Sequence, residues 1–200
     1  AVGQHTNVCL GKPCADPALI PSLLDGNGEF HSSRTFREHF KRGEDLIDFD
    51  EACIEIRAQH DRFVEIVGRE PDYFEAHAVM SKNLNRAISA VAQELGLKEQ
   101  KASFDPTAVV HCGDTDLRMV MHSMEPGYEP KDSIMQTVRE MDDGETVVFV
   151  CHPGYLDRFI LESSSLTTNR TKEVDALIDP ELRAWLEAQD DLRLIDYRDL

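Results

Sequence analysis

The order of strand-like and helix-like segments predicts an α/β fold with a parallel sheet, either an open doubly wound sheet or a barrel. Three observations carry this reading. Two amphipathic helical stretches end on glycines, Gly68 and Gly96. A short aromatic strand directly precedes the second of them. The β-branched run Thr146 to Cys151 is too apolar for an exposed edge and suits a strand buried on both faces of a parallel sheet.

Taken in chain order, residues Pro13 to Gly28 are rich in Pro, Gly and Asp, and Asp25-Gly26-Asn27-Gly28 is a turn signal, so a long surface loop is expected. Asp48 with Glu51 forms a capping pair, and Ala52, Ile56, Phe63 and Val67 fall on one face, which places a helix at about 49 to 67. Asp72 to His77 follows Pro71 and reads as a strand, and Leu84, Ile88, Val91 and Leu95 mark the next helix. Ile134, Val138 and Met141 suggest another, ahead of the strand at 146 to 151. Asp179-Pro180 caps a last helix through Leu182, Trp185 and Leu186, and Leu192 to Tyr197 reads as a closing strand. One domain is expected over residues 1 to 200, with no internal repeat.

Charge narrows the partners. With 38 acidic against 21 basic side chains the net charge is -17, which repels phosphate backbones and anionic lipid, so neither nucleic acid nor a membrane is expected. A neutral substrate is indifferent to this field, and a divalent cation is mildly concentrated by it. Cys9, Cys14, Cys53, Cys112 and Cys151 are an odd set without CxxC spacing, so neither a zinc knuckle nor a disulfide framework is indicated, and a cytoplasmic setting suits them. No GxGxxG or GxxxxGK[ST] loop supports nucleotide binding.

Three histidines, His5, His77 and His152, fall at or just past the carboxyl ends of strand-like segments, where α/β enzymes keep their sites. Imidazole serves both as a metal ligand and as a general acid or base near neutral pH. His152 has the strongest context: Val147 to Cys151 runs into His152-Pro153-Gly154, where proline and glycine fix the turn and clear space beside the ring. His31, His39, His60, His111 and His122 lie in loop or helix-face contexts and receive no role.

The wording of several segments goes further. Gly3-Gln4-His5-Thr6-Asn7 followed by Gly11-Lys12-Pro13, the loop Pro21 to Phe30, and the helix with Glu55, Gln59 and Phe63 resemble segments of the YdjC-like carbohydrate deacetylase family. So do Pro71 to His77, His152-Pro153-Gly154-Tyr155, and the tail from Ser164-Ser165 through Arg170 to Leu177. The resemblance spans nearly the whole chain. It implies a distorted TIM-like (β/α) barrel with parallel strands, incomplete at the N-terminus, and a metal-dependent hydrolase that removes acetyl groups from N-acetylated amino sugars. It also implies His5 and His77 as metal ligands, His152 as the catalytic residue, and Asn7, Tyr155 and Arg170 as substrate-binding residues. The implied cofactor is a divalent metal, magnesium by resemblance, although two imidazoles suit zinc or another transition metal better. The implied partner is a small carbohydrate, with a homodimer as one option for assembly.

Three departures set the alternatives. The family's opening Asp-Asp-Phe-Gly motif, source of a third metal ligand and a base, has no counterpart here, and the family's histidines after His77 are replaced by Ala78, Val79, Met80 and Ser81. The family's aspartate two positions before His77 is Glu75. Either the segment that carries the opening motif is missing from this sequence, or the chain is a non-catalytic carbohydrate- or protein-binding relic of the same fold, which is the second reading. A metallophosphoesterase is a third, and it would need a clustered Arg or Lys clamp that the chain does not present.

Overall fold

The computed structural model describes residues 1–101 and 109–200. The chain divides into two compact units, the first built from its N-terminal half with residues 110–115 and 195–200, the second from residues 116–194.

The first unit is organised by a parallel sheet of three strands, β1 (Gln4–Thr6), β2 (Tyr73–Ala76) and β3 (Lys98–Glu99), in the order β1-β2-β3. Three helices belong to it: α1 (Ser33–Lys41), α2 (Phe49–Val67) and α3 (Lys82–Leu95). The predicted span of α2 and the predicted stop of α3 at Gly96 hold because the ends are chemically specified. Asp48 accepts from the amides of Asp50 and Glu51 at the start of α2, and Ser81 accepts from Leu84 N at the start of α3. Gly68 and Gly96 close these helices in the left-handed conformation, with φ of 78° and 66°. Between them, α2 and α3 bury Ala52, Ile56, Leu84, Ala87, Ile88 and Val91 around Phe74 of β2, and this is the core of the unit.

The expected surface loop at 13–28 is a correction. It folds into two short 3-10 turns, Pro17–Leu19 and Pro21–Leu23, and Ile20 and Leu23 are completely buried in the α2–α3 core, with Phe30 nearly so. The turn residues set the backbone path, but the two aliphatic side chains draw the segment inward. The predicted closing strand at 192–197 does not form. Tyr197 instead stacks on Tyr73, ring centroids 3.7 Å apart, and the N-terminal amine of Ala1 donates to Asp196 at 2.9 Å. Gly3 explains itself here: a Cβ on it would lie 2.5 Å from the Tyr73 ring. Gly3→Ala is therefore expected to break that stack and to cost about 1–3 kcal/mol, as overpacking usually does. A urea midpoint unchanged from the parent would show the ring to be free to move aside.

A fourth strand, β4 (Val109–Cys112), contacts this unit through a bridge between Gln100 and Cys112. His111 thus sits on a strand and not in the loop or helix context read from sequence, and His39 lies on the unpredicted helix α1.

The second unit contains β5 (Thr115–Val120) and β6 (Val147–Phe149), paired in parallel with Arg118 opposite Val147 and Val120 opposite Phe149. Its helices are α4 (Pro130–Arg139), α5 (Arg158–Ser163), α6 (Thr168–Leu177) and α7 (Pro180–Glu187). The strand expected at 146–151 is shorter than read, and the helix expected from Ile134 to Met141 ends at Arg139. Asp179 caps α7 as the sequence indicates, accepting from Glu181 N. The mixed α/β class with parallel strands is thus observed. No barrel closes among the described residues, and no helix among them is long and apolar enough to cross a membrane.

Candidate active site

The register of β1 against β2 builds the first cluster. Side chains alternate along a strand, so Gln4 and Thr6 point into the core and His5 points out. Parallel pairing sets Gln4 opposite Phe74, His5 opposite Glu75 and Thr6 opposite Ala76, and the bond from His77 N to Thr6 O, 2.9 Å, carries the alignment one residue past the strand. His5, Glu75 and His77 therefore share one face. A slip of one residue would send the histidines to opposite faces.

On that face His5 Nδ1–H donates to Glu75 Oε1 at 2.9 Å, and His5 Nε2 lies 2.7 Å from His77 Nδ1, with the rings edge to face. A carboxylate on Nδ1 fixes the tautomer and leaves the lone pair at Nε2, the arrangement usual for imidazoles that bind metals. The two facing nitrogens share one proton, which an ion held by both would displace. Among the described residues no three His, Cys, Asp or Glu side chains gather as a full ligand set. The donor chemistry present fits two positions of such a set, with Glu75 committed to orienting His5. Immediately after His77 the backbone of Ala78 takes φ 48°, the one positive φ outside glycine among the described residues. Such a conformation costs about 1–3 kcal/mol and persists where the surroundings impose it.

A cleft of about 290 Å³ borders His5 and is lined also by Asn7, Lys12, Cys14, Phe30 and Gln59. Its wall is held by α2. Glu55, completely buried, accepts from Cys14 N at 3.0 Å, from Ala15 N at 2.9 Å and from Gln59 Nε2 at 2.8 Å. Gln59 in turn bonds both the N–H and the C=O of Asn7, at 3.1 and 2.6 Å. The Glu-x-x-x-Gln spacing thus places both side chains on one face of α2, where they fasten the segment after β1. Asn7, expected to bind substrate, uses its side chain on the local turn, accepting from Cys9 N and donating to Leu10 O.

The second cluster lies in the second unit around His152, three residues past β6. His152 Nδ1 is 3.2 Å from Ser123 Oγ. The Ser123 hydroxyl donates to Glu173 Oε1 at 2.6 Å, and Tyr128 OH donates to the same oxygen at 3.2 Å. The other oxygen, Oε2, accepts from the backbone N–H of His152 at 2.6 Å. Glu173 and Ser123 are both fully buried. Three donors satisfy the oxygens of this buried side chain, as buried polar groups require. Burial, reinforced by the Glu173 charge, pushes the Cys151 thiol up to about 11, and burial raises the Tyr128 phenol as well. Arg170 donates from Nε to Leu166 O at 2.9 Å and from Nη1 to His152 O at 3.2 Å, so it holds the His152 turn in place. Tyr155 is 79% exposed. A Cβ on Gly154 would meet only Arg170 Cδ at 3.9 Å, ordinary contact, so this glycine is not there to clear space.

Ser123 and Glu173 escaped the sequence reading. Glu173 stands three residues after Arg170 on α6, a spacing that puts both on one helix face, but nothing in the sequence shows that its partners come from segments 21 to 50 residues away.

The chain is similar to known proteins over most of its length. The model of the YdjC-like protein family matches residues 1–188. The chain belongs to the YdjC-like family. It is 27% identical over 202 residues to carbohydrate deacetylase 2 of Listeria innocua, covering 100% of this chain and 77% of that protein. It is 28% identical over 204 residues to a carbohydrate deacetylase of Geobacillus stearothermophilus, covering 99% and 75%. A crystal structure of an Enterococcus faecalis protein, described as a candidate cellobiose-phosphate cleavage protein, superposes with a TM-score of 0.79 at 23% identity, over 100% of this YdjC-like chain and 77% of that one. That likeness establishes the fold alone.

Proposed function

We propose that this YdjC-like protein is a metal-dependent deacetylase that hydrolyses the acetamido group of N-acetylated amino sugars or their oligomers. The observation that carries the reading is the convergence of His5 and His77, 72 residues apart in sequence, with facing nitrogens at 2.7 Å and Glu75 behind them. Carbohydrate deacetylases among the relatives supply the substrate class. The family's distorted TIM-like barrel is the fold class we propose for the protein.

In this reading His5 Nε2 and His77 Nδ1 hold a divalent ion, magnesium by family or a transition metal by donor chemistry. When bound, the ion supplies Lewis acidity toward the amide carbonyl and a lowered pKa for water. Glu75 keeps the His5 lone pair directed outward. His152 delivers a proton to the amine nitrogen as the C–N bond breaks, the general-acid half of amide hydrolysis. Asn7 and Arg170 act on substrate indirectly, by fixing the segments that carry His5 and His152, and Tyr155 offers an exposed ring against which a sugar face can lie.

Acetate release from N-acetylglucosamine oligomers, followed with added divalent ions, tests the reaction, and binding of these sugars without release would favour the relic. Titration calorimetry tests the metal assignment. His5→Ala should abolish uptake of the ion, and Glu75→Ala should weaken it by about 10- to 100-fold, the usual effect of removing a carboxylate behind a ligating histidine. Unaltered affinity in His5→Ala would remove the His5–His77 pair from the metal assignment.

A further inference from the structure

We infer that Glu173, acting through the Ser123 hydroxyl, is a positioning residue that sets the ring tautomer and orientation of His152. This deepens the proposed function, since it rests on the reading of His152 as the proton donor.

A serine hydroxyl has a single proton to give. In this structure Ser123 gives it to Glu173 Oε1, at 2.6 Å, so toward His152 the same oxygen can only accept. His152 Nδ1, 3.2 Å away, must then carry the hydrogen. Proton exchange with substrate is thereby assigned to Nε2. The direction of the whole relay is set at Glu173, whose Oε1 accepts the Ser123 hydroxyl. Its other partners agree, since Tyr128 OH donates to Oε1 and the His152 N–H, which can only donate, points at Oε2.

Helix α6 makes the arrangement rigid. Asn169, Arg170 and Glu173 lie on one of its faces at spacings of three and four. Asn169 Nδ2 donates to Ser123 O at 2.8 Å and Arg170 Nη1 donates to His152 O at 3.2 Å, so the two segments that carry the relay are clamped to the same helix that carries the carboxylate. A carboxylate serving only to satisfy buried amides would not need to reach the hydroxyl that faces the imidazole.

Long-range proton–nitrogen NMR correlations of the imidazole rings in the nitrogen-15-labelled protein read the tautomer directly. The His152 signals are assigned by their loss in His152→Gln. The parent should show neutral His152 with its hydrogen on Nδ1. In Ser123→Ala the acceptor is gone, and the ring should move to the Nε2–H form that neutral imidazole prefers in water. Glu173→Gln should produce the same exchange by another route. Its amide donates to Ser123 Oγ and frees the serine proton to point at Nδ1. The His5 and His77 signals should be unchanged in both variants, which shows that the first unit is folded. A parent ring already in the Nε2–H form, or a ring unchanged in Ser123→Ala, overturns the relay, and the parent spectrum decides even if a variant fails to fold. Because no substrate is present, the outcome separates from turnover. The Nδ1–H form without acetate release supports the relay and counts against the deacetylase, whereas acetate release with the Nε2–H form overturns the relay alone.

Discussion

Replacing His152 by alanine is expected to lower acetate release from N-acetylglucosamine oligomers by roughly 10²- to 10⁴-fold, the span that a positioned general acid or base supplies. An amide nitrogen is a poor leaving group until protonated, so the loss should appear in kcat with little change in KM, the pattern of an interaction made in the transition state. Nearby groups are poor substitutes. The Cys151 thiol, at about 11, and the Tyr128 phenol, raised above its ordinary value by burial, are too weak as acids near neutral pH, where imidazole is well matched. Affinity for a divalent ion should remain close to that of the parent, because His5 and His77 are untouched. Initial rates at saturating sugar, measured with calorimetric titration of the ion, separate the two effects. Turnover within about threefold of the parent, far short of the 10²-fold floor for acid–base catalysis, would mean that the proton comes from elsewhere.

The parts of this fold legible in the sequence are those whose ends are chemically marked. Asp48 with Gly68, Gly96, and Asp179-Pro180 fix α2, the end of α3 and the start of α7 through local hydrogen bonds and backbone conformations. Helix α1 was missed because it buries a single hydrophobic side chain, Phe36, and so has almost no apolar stripe to read. Leu192 to Tyr197 alternates like a strand but pairs with no strand among the described residues, and Leu194 is 60% exposed while Tyr197 stacks on Tyr73. Periodicity reports which faces could be buried, and the rest of the chain decides whether they are. The same limit applies to the candidate site. His5, His77 and His152 were named from strand ends and family wording, whereas Ser123 and Glu173 acquire their meaning only when segments far apart in sequence meet. The contact of Glu75 with His5 belongs to the same class, since it follows from the register of two parallel strands.

That register depends on Phe74, and Phe74→Ala is expected to cost about 3–5 kcal/mol of stability, the range for deleting a buried aromatic ring. Phe74 is 0% exposed, its ring lies edge to face with His60 at 6.1 Å, and its carbonyl accepts from Gln100 N at 2.8 Å. Domains of this kind have about 5–15 kcal/mol of stability in all, so the variant gives up a large part of it. The cavity would open directly beneath the strand that carries Glu75 and delivers His77, so loss of stability and loss of the imidazole pair are expected together. Phe74→Leu, which keeps most of the side-chain volume, should lose less of both. Urea unfolding followed by far-ultraviolet circular dichroism gives the stability, and the His5 and His77 ring signals give the geometry of the pair. The single tryptophan, Trp185, lies in the second unit, so its fluorescence offers a separate reading of that unit during the same titration. A loss below about 1 kcal/mol would mean that the site closes over the missing ring, well under the usual range for such deletions. In that event β2 would not be the strand on which the core and the His5–Glu75–His77 face depend.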